Sequence, residues 1–395
     1  MRGLKTLNFV ILICTTIFLT PFAMGGDILL FQSVPLKSVA KLTSENIRSD
    51  LEILLFTLEN AYGGKNILPA YQYEKLVAGL KSLKQTQKTL TSEDLCNQIA
   101  DLTEQVNDYH LTVHIENQTC RRIWPMPTVG VNSGYGTSNQ TWSLSTKPVG
   151  NKTVPVLAIQ KMSPSASPDW AGFIETVQIL VKESKPFVID LRRNPGGDLT
   201  KGLEMSRILY GLSNSQSFPW PRKQIYRQRT PSAWALLANV SWLQLQNLNT
   251  MGQPAPDYIK NNYLSLVNYQ KKAAEGLIPL IEVENLGEDK ADLSHAISFP
   301  VYVLIDKNCG SSCELTLEAL ESLPAIQTVG EPTTGVVQYG NVGALYLPSS
   351  HILIRIPTQG AHYDDNRQIE KIGYSPKWQV QSGTDALDFT FSHFF

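Results

Sequence analysis

The spacing of apolar positions along the chain first changes just before His110, and the change predicts two regions of different architecture. Ahead of it, Ile47, Leu51, Leu54, Leu55 and Leu58 recur at three- and four-residue intervals, on one face of a helix that Ser44 caps and Gly63-Gly64 terminates. Leu95, Ile99, Leu102 and Val106 repeat the pattern behind a cap at Thr91 or Ser92, so a small helical domain is expected over 27–107. Beyond it the period falls to two in Leu111–Ile115, and a stretch rich in Gly, Ser, Asn and Thr from Val129 to Lys152 reads as strands joined by turns.

Strand and helix then alternate. Val154–Ile159 reads as a strand, Ser167-Pro168 opens a helix through Ile174, Val177 and Val181, Phe187–Leu191 is a buried strand and Leu199–Tyr210 a helix. Residues 212–275 hold Trp220, Trp234, Trp242, Tyr258 and Tyr263 and read as a helical insertion, a cover for a cleft or an aromatic core on the sheet. A strand at Val301–Ile305, a helix at Ser312–Leu323 and short strands at Ile326–Val329, Ala344–Leu347 and Ile352–Ile356 complete an α/β core over 108–395 without internal repeats.

The first 25 residues stand apart. Arg2 and Lys5 precede an apolar run from Phe9 to Met24 that Pro21 interrupts and Ala23-Met24-Gly25 closes, the pattern of a secretory signal peptide. A spanning helix needs about 20 clean apolar residues, so no stable anchor is expected after cleavage. Cys14 has no small residue before it, which argues against lipoprotein processing. The mature chain is expected outside the cytoplasm, secreted or periplasmic.

Composition narrows the function. Thirty-four basic against 35 acidic residues exclude a charge-driven nucleic-acid binder, and 42% hydrophobic with 17% charged residues excludes disorder. Export leaves Cys96, Cys120, Cys309 and Cys313 where disulfides persist. Cys96 and Cys120 are expected to pair, tying the last N-terminal helix to the segment after the His110 strand, whereas Cys309 and Cys313 are expected to pack as small apolar residues. No Cys/His set at zinc-finger spacing occurs, and neither a metal nor a cofactor is expected. Sequons stand at Asn117, Asn139, Asn151 and Asn239.

Two strand-to-loop junctions concentrate unusual residues: Asp190-Leu-Arg-Arg-Asn-Pro-Gly-Gly197 and Asp306-Lys-Asn-Cys-Gly-Ser-Ser-Cys-Glu314. Both lead into helices, whose first amides can stabilise an oxyanion, and Gly196 and Gly197 allow a backbone to approach a substrate. As bland alternatives these are tight loops capped by Asn and Ser. Together with Gly330-Glu331-Pro-Thr-Thr-Gly335 and Ile369-Glu370-Lys-Ile-Gly373-Tyr-Ser-Pro376, the two loops resemble the C-terminal processing peptidases and their tricorn relatives, over about residues 100–380.

The resemblance implies a ClpP/crotonase-like core, a peptide or protein substrate and an acyl-enzyme on Ser311, the serine three residues before the glutamate. Ser312 would then supply its amide, with one from Gly196 or Gly197, to the oxyanion hole. The usual lysine base of processing peptidases falls at Val336, which cannot accept a proton, so another base is needed. Asp108-Tyr109-His110 and Glu370 match the tricorn branch: His110 would take the Ser311 proton, Tyr109 relay or orient, and Glu370 stabilise the arrangement. His114, four residues along the expected strand and facing the same side, is the rival to His110. A PDZ domain does not fit between His110 and Asp190. The alternatives are a catalytically inactive binding protein on the same fold, and a crotonase-like enzyme, which export argues against because its thioesters carry coenzyme A.

Overall fold

Thr43, one residue ahead of the expected cap, opens the first helix in a reciprocal box with Asn46: each side chain accepts from the other residue's backbone amide. The computed structural model describes residues 30, 37–116, 118–121, 141–213, 216, 218–287, 293–381 and 383–395. The expected leader, the part of the expected 129–152 strand region before residue 141, and Asn117 and Asn139 lie outside these.

In chain order the first part forms α1 (Ser44–Ala61), α2 (Ala70–Lys84), α3 (Ser92–Thr103), β1 (Thr112–Ile115), β2 (Gln118–Thr119), β3 (Trp142–Val149) and β4 (Lys152–Ile159). The middle forms α4 (Trp170–Lys182), β5 (Phe187–Asp190), α5 (Thr200–Tyr210), β6 (Lys223–Gln228), α6 (Pro231–Thr250), α7 (Asp257–Ala274) and β7 (Ile281–Leu286). The last part forms β8 (Val301–Ile305), α8 (Ser312–Leu320), β9 (Ile326–Gly330), β10 (Tyr339–Tyr346), β11 (Leu353–Tyr363), β12 (Trp378–Gln379) and α9 (Ala386–Phe394).

This is the expected α/β architecture, with a helical region at the front. Strands run β12-β9-β8-β5-β4-β3 in one sheet, parallel except for the β3–β4 hairpin. Both faces of this sheet are covered, which is why its central strands read as continuous apolar runs. Leu157, Ile189 and Val303 face α4, α5 and α8, whereas Val156, Val188, Tyr302 and Leu304 face the other way, onto Ala386 and Phe391 of α9. The alternation is that of the pleat.

A second, antiparallel sheet orders β2-β1-β11-β6-β7, with β10 beside β11. Helices α1–α3 share one buried cluster with β1, β10, β11 and α6. The segment expected as a purely helical insertion therefore differs: its first element, β6, is a sheet strand, and only α6 and α7 are helical. The two sheets are strapped by a buried group at Glu318 of α8, whose carboxylate pairs with Lys223 of β6 and accepts from the Tyr363 and Tyr374 hydroxyls at 2.6 and 2.9 Å.

Candidate active site

Two chain segments meet at the carboxyl ends of the parallel strands, where ligands of open α/β sheets bind, and residues 333–338 link them to a third. The first is the loop after β5. Asn194 is fully buried and organises it: its side-chain nitrogen donates to Ile159 O (2.9 Å), its Oδ1 accepts from Gly196 N (2.9 Å), and its own carbonyl accepts from Gly310 N (3.1 Å). Glycine is required next. A Cβ on Gly196, at φ 93°, would stand 2.6 Å from Gly310 O and 2.9 Å from Ser311 Cβ, and one on Gly197, at φ 130°, would stand 2.2 Å from Met162 O.

The second segment is the turn between β8 and α8. Ser311 ends it at φ 55° and ψ −121°, a conformation that costs a residue bearing a Cβ about 1–3 kcal/mol. Its neighbours hold it there. Cys309 and Cys313 are joined by a disulfide, against the expectation that they stay free. The turn brings their Cα atoms to 5.4 Å, within the range of about 4.4–6.8 Å that a disulfide spans. The expected Cys96–Cys120 disulfide is also present. Ser312 Oγ donates to Gly197 O at 2.7 Å, so its hydroxyl is engaged in joining the two loops.

Glu314, in the motif but without an assigned role, is the hub of this region. It is fully buried and accepts from Ser311 N (3.2 Å), Thr333 Oγ1 (2.6 Å), Gly335 N (2.7 Å) and Val336 N (2.8 Å). Burial pushes its carboxyl up to about 7, against the pull of those donors. The Ser-x-x-Glu spacing at a helix start was the available sequence signal, since it places the glutamate at the third helical position of a capping box.

The third segment is Asp108-Tyr109-His110. One ring nitrogen of His110 and carboxylate oxygens of Asp108 and Glu370 lie within 4.8 Å of one another. Asp108 accepts from the Tyr62 hydroxyl (2.8 Å) and from the amides of His110 and Leu111 (2.8 and 3.2 Å). Glu370 accepts from Tyr109 N (2.7 Å) and from Val337 and Gln338 N (both 3.1 Å), while the Gln338 side chain accepts from the amides of Ile369 and Glu370. Burial pushes Asp108 up to about 7, and burial followed by the Asp108 charge raises Glu370 far above the carboxylate range. This Asp/His/Glu set offers cation ligands, but each carboxylate oxygen already accepts a hydrogen bond that a cation would have to share.

The expected residues thus fall into two clusters. Ser311, Ser312, Gly196 and Gly197 form one, His110, Tyr109 and Glu370 the other, and residues 333–338 join them. Gly335 and Val336 bind Glu314 while Val337 and Gln338 bind Glu370. His114 stands apart in β1, with its ring nitrogens 2.7 and 3.1 Å from the hydroxyls of Thr112 and Thr119. His110 precedes β1, so the parity that would align it with His114 does not operate. A cavity of about 290 Å³ flanks the histidine cluster, lined by Glu104, Asp108, Tyr109, Arg121 and Lys371 among others, and Ser311 does not line it.

The chain is thus an α/β protein in which a glycine loop and a positive-φ serine meet at the end of a parallel sheet, with a half-buried histidine beside two buried carboxylates. Residues 153–380 match the family model of peptidase family S41, and the chain belongs to that family. No curated protein matches it. Among solved structures, a mutant of CPAF aligns over 89% of this chain and 95% of its own at 15% identity, with a TM-score of 0.50. The photosystem II D1 C-terminal processing protease aligns over 61% of this chain at 14% identity and a TM-score of 0.34, and this alignment spans 48% of that protein. The tricorn protease aligns over 60% of this chain and 17% of its own at 13% identity, with a TM-score of 0.30. At 15% identity the likeness to the CPAF mutant bears on the fold alone.

Proposed function

We propose that the chain is an exported serine peptidase that cleaves peptide bonds through an acyl-enzyme on Ser311, with residues 27–107 as its helical front part and 108–395 as the peptidase core. Ser311 Oγ attacks the scissile carbonyl as His110 takes its proton. The tetrahedral oxyanion is held by the amides of Gly197 and Ser312, since that of Gly196 is already bonded to Asn194. His110 then returns the proton to the departing amine, and water releases the acyl group. Asp108, once ionised, stabilises the imidazolium formed on the way, Glu370 stabilises the arrangement around His110, and Tyr109 fixes Glu370 through its amide.

The observation that carries this reading is the shared turn at 333–338, because one short segment orients both the Ser311 helix and the carboxylate beside His110. The two disulfides support export, as such bonds persist in oxidising compartments. Among the described residues no helix is long and apolar enough to cross a membrane. Val336 at the lysine position is the one feature that favours an inactive binding protein instead.

A serine-directed fluorophosphonate separates the two. The wild-type chain should be labelled, Ser311→Ala should not, and His110→Ala should acylate at least about a hundredfold more slowly while His114→Ala stays near normal. Equal labelling of wild type and Ser311→Ala sinks the nucleophile assignment, and near-normal acylation by a folded His110→Ala sinks the base.

A further inference from the structure

The ring closed by Cys309 and Cys313 contains only Gly310, Ser311 and Ser312 between its cysteines, and both half-cystines are fully buried. A cross-link spanning four residues restricts the unfolded chain far less than one spanning 24, so little of its effect is global. Its effect is local. Cys309 belongs to the turn that follows β8, and Cys313 is the second residue of α8. The bond therefore fixes the end of that turn to the first turn of the helix, with the positive-φ serine between them.

Apart from the disulfide, the turn around Ser311 is held by hydrogen bonds. Gly310 N is held by Asn194 O, Cys309 O by Thr334 N at 3.0 Å, and Ser311 N by Glu314. The first two fasten the turn to neighbouring segments, and the third ties it to α8. Within the ring, the other link between turn and helix is a single hydrogen bond, Cys313 N to Gly310 O at 3.1 Å. With the covalent link cut, rotation at Ser311 towards an ordinary negative φ is opposed by hydrogen bonds only, from Cys313 N to Gly310 O, from Leu315 N to Ser311 O at 3.0 Å and from Ser311 N to Glu314, and the rotation carries Oγ out of line.

We propose that the Cys309–Cys313 disulfide is the clamp that holds Ser311 in its attacking conformation, making both cysteines positioning residues for acylation. This rests on the reading of Ser311 as the nucleophile. The cross-link acts on the reaction step and not on substrate capture, because neither sulfur is exposed to a bound peptide.

The test compares two double variants of the full-length chain, Cys309→Ala/Cys313→Ala and Cys96→Ala/Cys120→Ala, by rate of fluorophosphonate labelling against probe concentration, with melting followed by circular dichroism. Loss of the longer cross-link should lower Tm more and leave the maximal labelling rate within about twofold. Loss of the shorter one should lower the maximal rate at least about tenfold, with the half-saturating concentration and the pH midpoint nearly unchanged. A Cys309→Ala/Cys313→Ala rate within about twofold of wild type overturns the proposal. Should that variant fail to fold, phosphine reduction of the wild-type chain replaces it: slowed labelling supports the clamp, and an unchanged rate with both thiols alkylated overturns it. Failure of the untreated wild-type chain to be labelled at Ser311 removes the nucleophile reading, and the clamp with it.

Discussion

Val336 lies against the turn before the nucleophile, where a Cβ on Gly310 would come within 2.9 Å of its Cγ1. It is buried and contributes its amide, not its side chain, to the Glu314 hub. Val336→Ala should therefore cost about 1–2 kcal/mol of stability through lost burial and leave acylation within about threefold, as melting and phosphonate labelling would show. A large fall in rate with little change in Tm would give the side chain a direct part in the chemistry. Asp108 makes a second prediction at this scale. Its folded carboxyl titrates near 7, above the ordinary range, so between that range and pH 7 the folded chain holds a proton that the unfolded chain releases. The resulting stabilisation is complete below the ordinary range and disappears as pH rises towards 7. The Tm advantage of wild type over Asp108→Asn should shrink from pH 4 to pH 7.5, and an advantage that grew with pH would contradict the assignment.

At the scale of elements, the glycine loop and α8 form one unit, since Gly196 packs directly on the backbone of residues 310–312. Gly196→Ala adds a methyl group against backbone that cannot yield and holds it at φ 93°. We expect a loss of about 1–3 kcal/mol and a fall in acylation beyond what that loss explains, measured on chains shown to be folded. Wild-type acylation by this variant would mean that the two loops move independently. Periodicity located most helices and strands of this region because each depends on neighbours a few residues away. It missed α9, whose apolar residues are needed only because the second face of the parallel sheet must be covered. It also took β6 as part of a helical insertion, since pairing with β11 across more than a hundred residues leaves no local mark.

For the whole molecule, the buried Lys223–Glu318 pair is the strap between the antiparallel sheet and the helix that starts at the nucleophile. Lys223→Met leaves a buried carboxylate with only tyrosine donors, and a loss of about 3–5 kcal/mol is expected by denaturant unfolding. An unchanged midpoint would show that the strap is idle. The amino-acid order alone determined the apolar runs of the central strands, the family motifs and the candidates Ser311, His110 and Glu370, and placed the helix caps to within a residue or two, because each is a short-range pattern. Tertiary structure decided which carboxylate holds what. Glu314 reaches residues 333–336, Glu370 reaches Tyr109 and residues 337–338, and Asp108 meets the Tyr62 hydroxyl. It also decided that Cys309 and Cys313 pair, since a four-residue spacing permits either state until the turn sets the distance between them. These contacts join segments tens to hundreds of residues apart, and they exist because buried polar groups must find partners once the apolar core has brought those segments together.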